Sequence, residues 1–249
     1  MLKKIIIGVV LLILAGAVVV YFARNILVER AVEAGSEYAL GQSTDLGSAS
    51  LSLGAGSLEL SEYEVANTEG FPSDHIFAIR RAVLDVATGS ILDNEVVIDS
   101  LVIDGLTLTL EQKNQDGNYA PIIQHIKQAD FGQSEQSDRR YTIRKAVIRD
   151  AQVSASINLL DREQYEKSYT LESFEIGNIG SDKGATIGQV SAIIFRAVVA
   201  RALEQAREEL PEAFGGGVKE RIEDAVDDAK SDISDKLKDA AGSLLDGEK

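Results

Sequence analysis

Two pairs of carboxylates, Glu111 with Asp116 and Asp99 with Asp104, lie close enough in sequence to serve as a general acid and base. Nothing around them completes a catalytic set. The chain has no Gly-rich phosphate loop, no G-x-S-x-G elbow and no histidine near a candidate nucleophile. Its two histidines, His75 and His125, are far apart, and neither belongs to an H-x-x-x-H or H-E-x-x-H spacing, so no metal site is expected. The absence of cysteine removes disulfides, zinc-thiolate sites and thiol nucleophiles. With 40 acidic residues in 249, an acidic surface produces neighbouring carboxylates by default. The sequence therefore predicts no enzyme and no cofactor.

The formal charge of -15 argues against nucleic acid, because phosphate binding draws its affinity from clustered Lys and Arg. A hydrophobic content of 45% is enough for a core, although the first two dozen residues take a large share of it. Ile5 to Ala23 is uncharged and nearly all apolar. As a helix it would measure about 28 Å, against a hydrocarbon core of about 30 Å. Ala15-Gly16-Ala17 imitates a signal-peptide cleavage site, but a cut there would leave Val18 to Phe22 as an apolar terminus, so an uncleaved anchor is expected. Lys3 and Lys4 ahead of the span put the amino terminus in the cytoplasm and the bulk outside. Beyond the span, Ile26, Leu27, Ala31, Ala34 and Tyr38 recur at helical spacing and predict a short stalk ending at Gly41.

From Asp45 to about Gly180 the periodicity changes to two. Leu51 and Leu53, then Leu58 and Leu60 across Gly54-Ala55-Gly56, predict a hairpin. Phe77 to Val86 predicts a strand with one slip in its alternation. Val96 to Leu110 predicts a long strand with two slips, at Asp99-Ser100 and Asp104-Gly105, which read as β-bulges. Shifted by 45 residues the pattern returns from Tyr141, with both slips at the same places and the charges inverted, Arg144 standing for Asp99 and Arg149 for Asp104. A helix from Pro121 to Gln128 lies between the copies. Strand, helix, strand allows the copies to be parallel neighbours whose acidic and basic rows meet. Equally, both rows fit solvated outer faces.

Thr186 and Gln189 form a capping box ahead of a helix with an apolar stripe at Ile187, Val190, Ile194, Ala197 and Val198, expected to cover the sheet. Gly215-Gly216-Gly217 then opens an acidic tail, helical in spacing but with Asp along its polar face, unlike a membrane-surface helix.

Several of these features resemble the AsmA-like family of bacterial envelope proteins. The resemblance rests on Asn67-Thr68-Glu69-Gly70-Phe71 and the strand around Phe77, on Ser90-Ile91-Leu92, and on the V-I-D-x-L-x-I-D-G phrase ending at Gly105. It continues through Glu111 and Asn118 to Ile176-Gly177-Asn178-Ile179-Gly180 ahead of the last apolar helix, and covers most of residues 1 to 210. Thr68 and Leu106 stand where the family often has proline, which bears on local turns more than on the fold.

The resemblance implies an inner-membrane protein whose bulk lies in the periplasm, with a curved, groove-forming β-sheet that handles lipid or supports outer-membrane assembly. Its implied partners are the inner membrane, phospholipid and other envelope proteins. The alternative is a structural or adaptor protein of the envelope with a closed core and no lipid cargo.

The expected fold class is α+β: a transmembrane helix over residues 1–24, a helical stalk over 25–41 and a curved, mostly β domain over 42–183. A covering helix over 184–214 and an acidic helical or disordered tail over 215–249 complete it. The candidate lipid-facing residues, on the concave face of the two copies, are Ile98, Ile103, Leu108, Ile143, Ile148 and Val153. The long apolar run behind Lys3 and Lys4 predicts that a reporter fused after Lys249 is active only outside the cytoplasm, with Met1 or Leu2 retained at the terminus. A mature terminus at Val18 would remove the anchor.

Overall fold

The computed structural model describes residues 24–52, 54–91, 93–113, 116–129, 139–158, 165–180 and 184–209. The predicted membrane span and the acidic tail lie outside them. No helix among the described residues is long and apolar enough to cross a membrane.

The chain is α+β, a mostly β mixed sheet with three helices. Helix α1 occupies residues 24–40 and leads into the antiparallel strands β1 (Thr44–Ser52), β2 (Ser57–Ala66), β3 (His75–Val86) and β4 (Glu95–Lys113). A two-residue strand β5 (Asp116–Gly117) folds back on β4, and helix α2 (Ala120–Gln128) carries the chain across. Strands β6 (Arg140–Arg149) and β7 (Ala151–Asn158) both lie parallel to β4. β8 (Tyr165–Leu171) pairs with β7, β9 (Phe174–Ile179) pairs with β6, and helix α3 (Ile187–Glu209) closes the order. The expected hairpin forms, with Ser52 opposite Ser57. The capping box forms as well: Gln189 N–H donates to Thr186 Oγ1 at 3.1 Å, and Thr186 N–H donates to Gln189 Oε1 at 2.9 Å.

The 45-residue repeat is the parallel register. Val96 faces Tyr141, Ile98 faces Ile143, Ile103 faces Ile148 and Leu108 faces Val153. Of the two readings of the charged rows, the structure selects the one in which they meet. Arg149 Nη2 donates to Asp104 Oδ2 at 2.9 Å, and Arg144 is hydrogen-bonded to Asp99.

The slip at Asp104-Gly105 is not the bulge expected there, because the register is the same on both sides of it. Ile79 faces Leu106, and Arg81 faces Asp104. Alternation breaks at this one row all along the sheet, within β1 to β4, between β6 and β7 and between β8 and β9, two outward residues separating consecutive inward ones. The inward pairs are Leu46 and Ala49, Leu60 and Tyr63, Ile79 and Ala82, Ile103 and Leu106, Ile148 and Ala151, and Leu171 and Phe174. Glu62 of β2, Gly105 of β4 and Asp150, between β6 and β7, lie in the row with φ of 54°, 67° and 51°. The result is a crease that crosses the whole sheet. Along it the Arg80 guanidinium lies over Gly105, where a Cβ would meet it at 2.6 Å, and donates to Asp150 Oδ2 at 3.1 Å. The slip at Asp99-Ser100 does include a bulge against β3, where Asp85 faces Ser100 but Val86 faces Ile98. In β9 it is matched by Gly177-Asn178, with Asn178 at φ 52°.

Residues 25–41, read as a stalk, are instead part of the sheet's architecture. Four side chains spaced by four on α1 reach the outward backbone N–H groups of the edge strand β1. Leu51 N–H donates to Asn25 Oδ1 (3.2 Å), Ala49 to Glu29 (2.9 Å), Leu46 to Glu33 (3.2 Å) and Thr44 to Glu37 (3.2 Å). Four helical residues advance about 6 Å and two strand residues about 6.8 Å, so the repeats match on either side of the crease, across which the strand step from Leu46 to Ala49 is three residues. Turning this row to the strand leaves Ile26, Leu27 and Tyr38 of the predicted apolar stripe 58%, 62% and 44% exposed, while Ala39 and Leu40 enter the core.

The charged rows carry a pH signature. The hydrogen bond from Arg149, with its charge, holds the Asp104 carboxyl below the usual carboxylate range. Such a group stabilises the fold above its unfolded pKa of about 4, and the contribution is lost as pH falls through the folded value. A double-mutant cycle with Asp104→Asn and Arg149→Gln should give a coupling of about 0.2–1 kcal/mol at pH 7 that disappears in acid. Urea unfolding at both pH values measures it, and additivity at pH 7 would mean the contact contributes nothing.

Candidate functional site

Of the carboxylates that suggested chemistry, Glu111, Asp99 and Asp104 are engaged in building the fold. Glu111 is buried near the end of β4, where its carboxyl accepts from Asn67 Nδ2 at 2.6 Å and Ser73 Oγ at 2.7 Å. Asn118, fully buried, donates to Asn67 Oδ1 at 2.9 Å and to the Thr109 carbonyl at 2.8 Å, and its own Oδ1 accepts from Glu111 N–H at 3.0 Å. Thr68 Oγ1 donates to the Asn118 carbonyl at 2.6 Å. The network ties the β2–β3 connection to the end of β4 and makes one structural unit of Asn67, Glu111 and Asn118. Asp99 and Asp104 lie on the outer face, each against its arginine, and Asp116 sits across from Lys113 at the β5 turn. His75 faces Glu64 at 3.4 Å, whereas His125 Nε2 donates to the Tyr38 carbonyl at 3.0 Å, so the two occupy unrelated places.

The opposite face of the sheet holds a cavity of about 400 Å3, bounded by α1, the inward residues of β2, β3, β4 and β6, and the first turns of α3. Among the described residues its lining is aliphatic and aromatic apart from Ser191, the hydroxyls of Tyr63 and Tyr141, and the charged side chain of Arg139. Leu27 is 62% exposed and Arg139 is exposed as well, which puts the mouth at the end of the sheet where α1 begins. At the inner end Tyr63 packs edge-on to Phe77 (centroids 6.4 Å apart), and Phe77 meets Phe195 of α3 at 5.8 Å. Burial pushes the Tyr63 hydroxyl up to about 12, against opposing hydrogen bonds with Ser36, Ser191 and Thr44, so it stays a neutral donor. Ser36 and Ser191 are themselves hydrogen-bonded at 3.0 Å, joining α1 to α3. Near the mouth, partial burial raises the Tyr141 hydroxyl while the Arg139 charge opposes the rise.

The six residues expected to face lipid divide between two environments. Ile98, Ile103 and Ile143 line the cavity. Leu108, Ile148 and Val153 are fully buried and do not line it; they belong to the close-packed core with Val198, Val199 and Leu203 of α3. On β4 the boundary between the two coincides with the crease, since Val96, Ile98, Leu101 and Ile103 line the cavity and Leu106 and Leu108 do not. Sequence reasoning missed the walls given by Leu58 and Leu60 of β2 and by Leu84 of β3, which read only as strand residues, and by Val28 and Val32 of α1, which fell outside the apolar stripe it followed. It also missed Arg139, for which the basic doublet Arg139-Arg140 just before a strand in an acidic chain was the available signal.

Compared with family models, curated proteins and solved structures, the chain finds no match. If the Glu111 network is structural, Glu111→Ala leaves the Asn67 and Ser73 donors without their acceptor and should cost about 1–3 kcal/mol in chemical unfolding. The dimensions of the cavity, far along the sheet, should be untouched. A variant as stable as the parent would remove the network from the account of the fold.

Proposed function

We propose that this chain is an inner-membrane anchored protein of AsmA-like type, its bulk in the periplasm, which holds an apolar lipid chain within a partial groove of a curved sheet and so handles lipid or supports envelope assembly. The observation that carries the proposal is the apolar cavity with its mouth beside the start of α1. That is also the end at which the apolar segment Ile5 to Ala23 joins the fold, so the anchor would hold the mouth against the bilayer. Ile26 and Leu27, exposed apolar residues between segment and mouth, suit the same orientation. A pocket of this size with few polar groups is the usual form of a small-ligand site.

The sheet's main path, β1-β2-β3-β4-β6-β9, is six strands wide. At about 4.8 Å per strand it measures roughly 24 Å across, less than one bilayer. The function is accordingly local, an exchange of lipid with the membrane or with an adjoining protein, rather than a bridge between two membranes. A structural adaptor without cargo draws its support from the packed part of the sheet, where Leu108, Ile148 and Val153 are fully buried.

Substitution separates the two readings. Ile103 is 1% exposed on the cavity wall, so a carboxylate there tests the fold as much as the site. Leu60, half-buried and lining the cavity, is the better probe. Leu60→Asp should keep the circular dichroism of the parent and lose lipid that co-purifies with it. Leu108→Asp should unfold the domain, since an unpaired carboxylate in a closed core costs several kcal/mol. Parent protein free of lipid in mass spectra after gentle extraction would favour the adaptor.

A further inference from the structure

We infer that the cavity takes a single-tailed anionic amphiphile, one acyl chain carrying a carboxylate or phosphate head, with the tail along Ile98 and Ile103 and the head at Arg139. The inference rests on the reading of the cavity as an apolar-chain site. It adds the number of tails and the charge of the head.

The number of tails follows from space. A cavity of about 400 Å3 is of the size that takes one small ligand, and its flanks are already occupied. Val28 and Val32 of α1 close one flank, Ile187, Val190 and Ile194 of α3 close the other, and the Tyr63–Phe77–Phe195 cluster closes the inner end. Both helices are fixed, α1 to the edge of β1 by four hydrogen bonds and α3 to α1 through Ser36 and Ser191, so widening the cavity means breaking buried polar contacts.

The charge of the head follows from the mouth. In a chain of net charge -15, the described residues that line the cavity include one guanidinium and no carboxylate. Arg139 is exposed, next to the strand that carries Tyr141 and Ile143 into the cavity, so a head bound to it stays in water while the tail is buried. A guanidinium recognises carboxylate and phosphate alike through paired N–H donors, and the geometry admits either source.

The test uses the full-length chain in a sterol-based detergent, which offers no alkyl tail to the cavity. Palmitate, palmitoyl lysophosphatidylglycerol, dipalmitoyl phosphatidylglycerol and monopalmitoylglycerol are titrated in turn, and binding is read by native mass spectrometry. The two single-tailed anions should bind one per chain, at least about tenfold more tightly than the two-tailed lipid. Their ranking identifies the preferred head. Arg139→Glu should weaken both by about tenfold or more and leave neutral monopalmitoylglycerol unchanged, with Arg139→Lys recovering part of the loss. Equal affinity for the two-tailed lipid overturns the single-tail inference and leaves the apolar-chain reading standing. Unchanged anion binding in a folded Arg139→Glu protein overturns the assignment of the head. Failure of a folded parent to bind any of the four overturns both the inference and the reading beneath it.

Discussion

The constraint on which the rest of this structure depends is that its strands must turn without exposing their apolar side. A strand alternates faces with a period of two, so a change of direction that costs one residue would send every later side chain to the wrong face. Here the chain places one extra outward residue between consecutive inward ones, and the backbone turns at that row so that the later apolar residues face inward again, all along the sheet's main path. Because all strands step together, hydrogen-bond register is preserved across the crease, Ile79 facing Leu106 on one side and Arg81 facing Asp104 on the other. Left-handed backbone at the turn falls at Glu62, Gly105 and Asp150. At Gly105 the absence of a side chain also admits the Arg80 guanidinium, which ties the crease to Asp150 two strands away.

Creasing a sheet leaves its edge to be dealt with, since an unpaired strand invites pairing with another chain. On the β1 side the solution is unusual in its parts. A helix cannot continue a ladder, but Asn25, Glu29, Glu33 and Glu37 place an acceptor every four residues, at nearly the spacing at which β1 presents its free N–H groups. The helix thereby satisfies the donors of the edge while its carboxylates keep an incoming strand away. Arg24 treats the first carbonyl beyond them in the complementary sense, donating from Nε to Leu51 at 3.0 Å. Charge on α1 that looks like solvated surface is part of the hydrogen bonding of the sheet.

The legible parts of the fold were those in which one strong pattern fixes the outcome. The 45-residue recurrence gave the parallel register residue for residue because both copies bury the same face, and inverted charges then had to meet. The Thr186 and Gln189 capping box was readable because it is local. Two things were hidden. The two-residue slips in β4 look the same along the chain, yet one is a crease shared by all strands and the other ends in a bulge against β3. Only the register of neighbouring strands distinguishes them. On α1, the apolar recurrence at Ile26, Leu27 and Tyr38 competed with the polar row at Asn25, Glu29, Glu33 and Glu37. The polar row prevailed because an edge strand with unmet donors is a stronger demand than the burial of three side chains.

The same physics explains why only half of the candidate face opens into a cavity. Inward residues of β4 on both sides of the crease are equally apolar, so composition does not separate Ile103 from Leu108. What separates them is the element laid over each half. Beyond the crease Val198, Val199, Ala202 and Leu203 of α3 are buried against the sheet. Before it the first turns of α3 offer Gly188 and Ser191, and the hydrogen bond between Ser36 and Ser191 spans the space between α3 and α1. Gly35 sits so close to Ile187 that a Cβ would meet its side chain at 2.9 Å, which brings the two helices together at one point and leaves room beneath them. Phe195, packed against Phe77, stands where the helix passes from bridging the sheet to resting on it. The cavity is thus a consequence of small residues at a helix crossing over a creased sheet, and the same crossing keeps its width fixed.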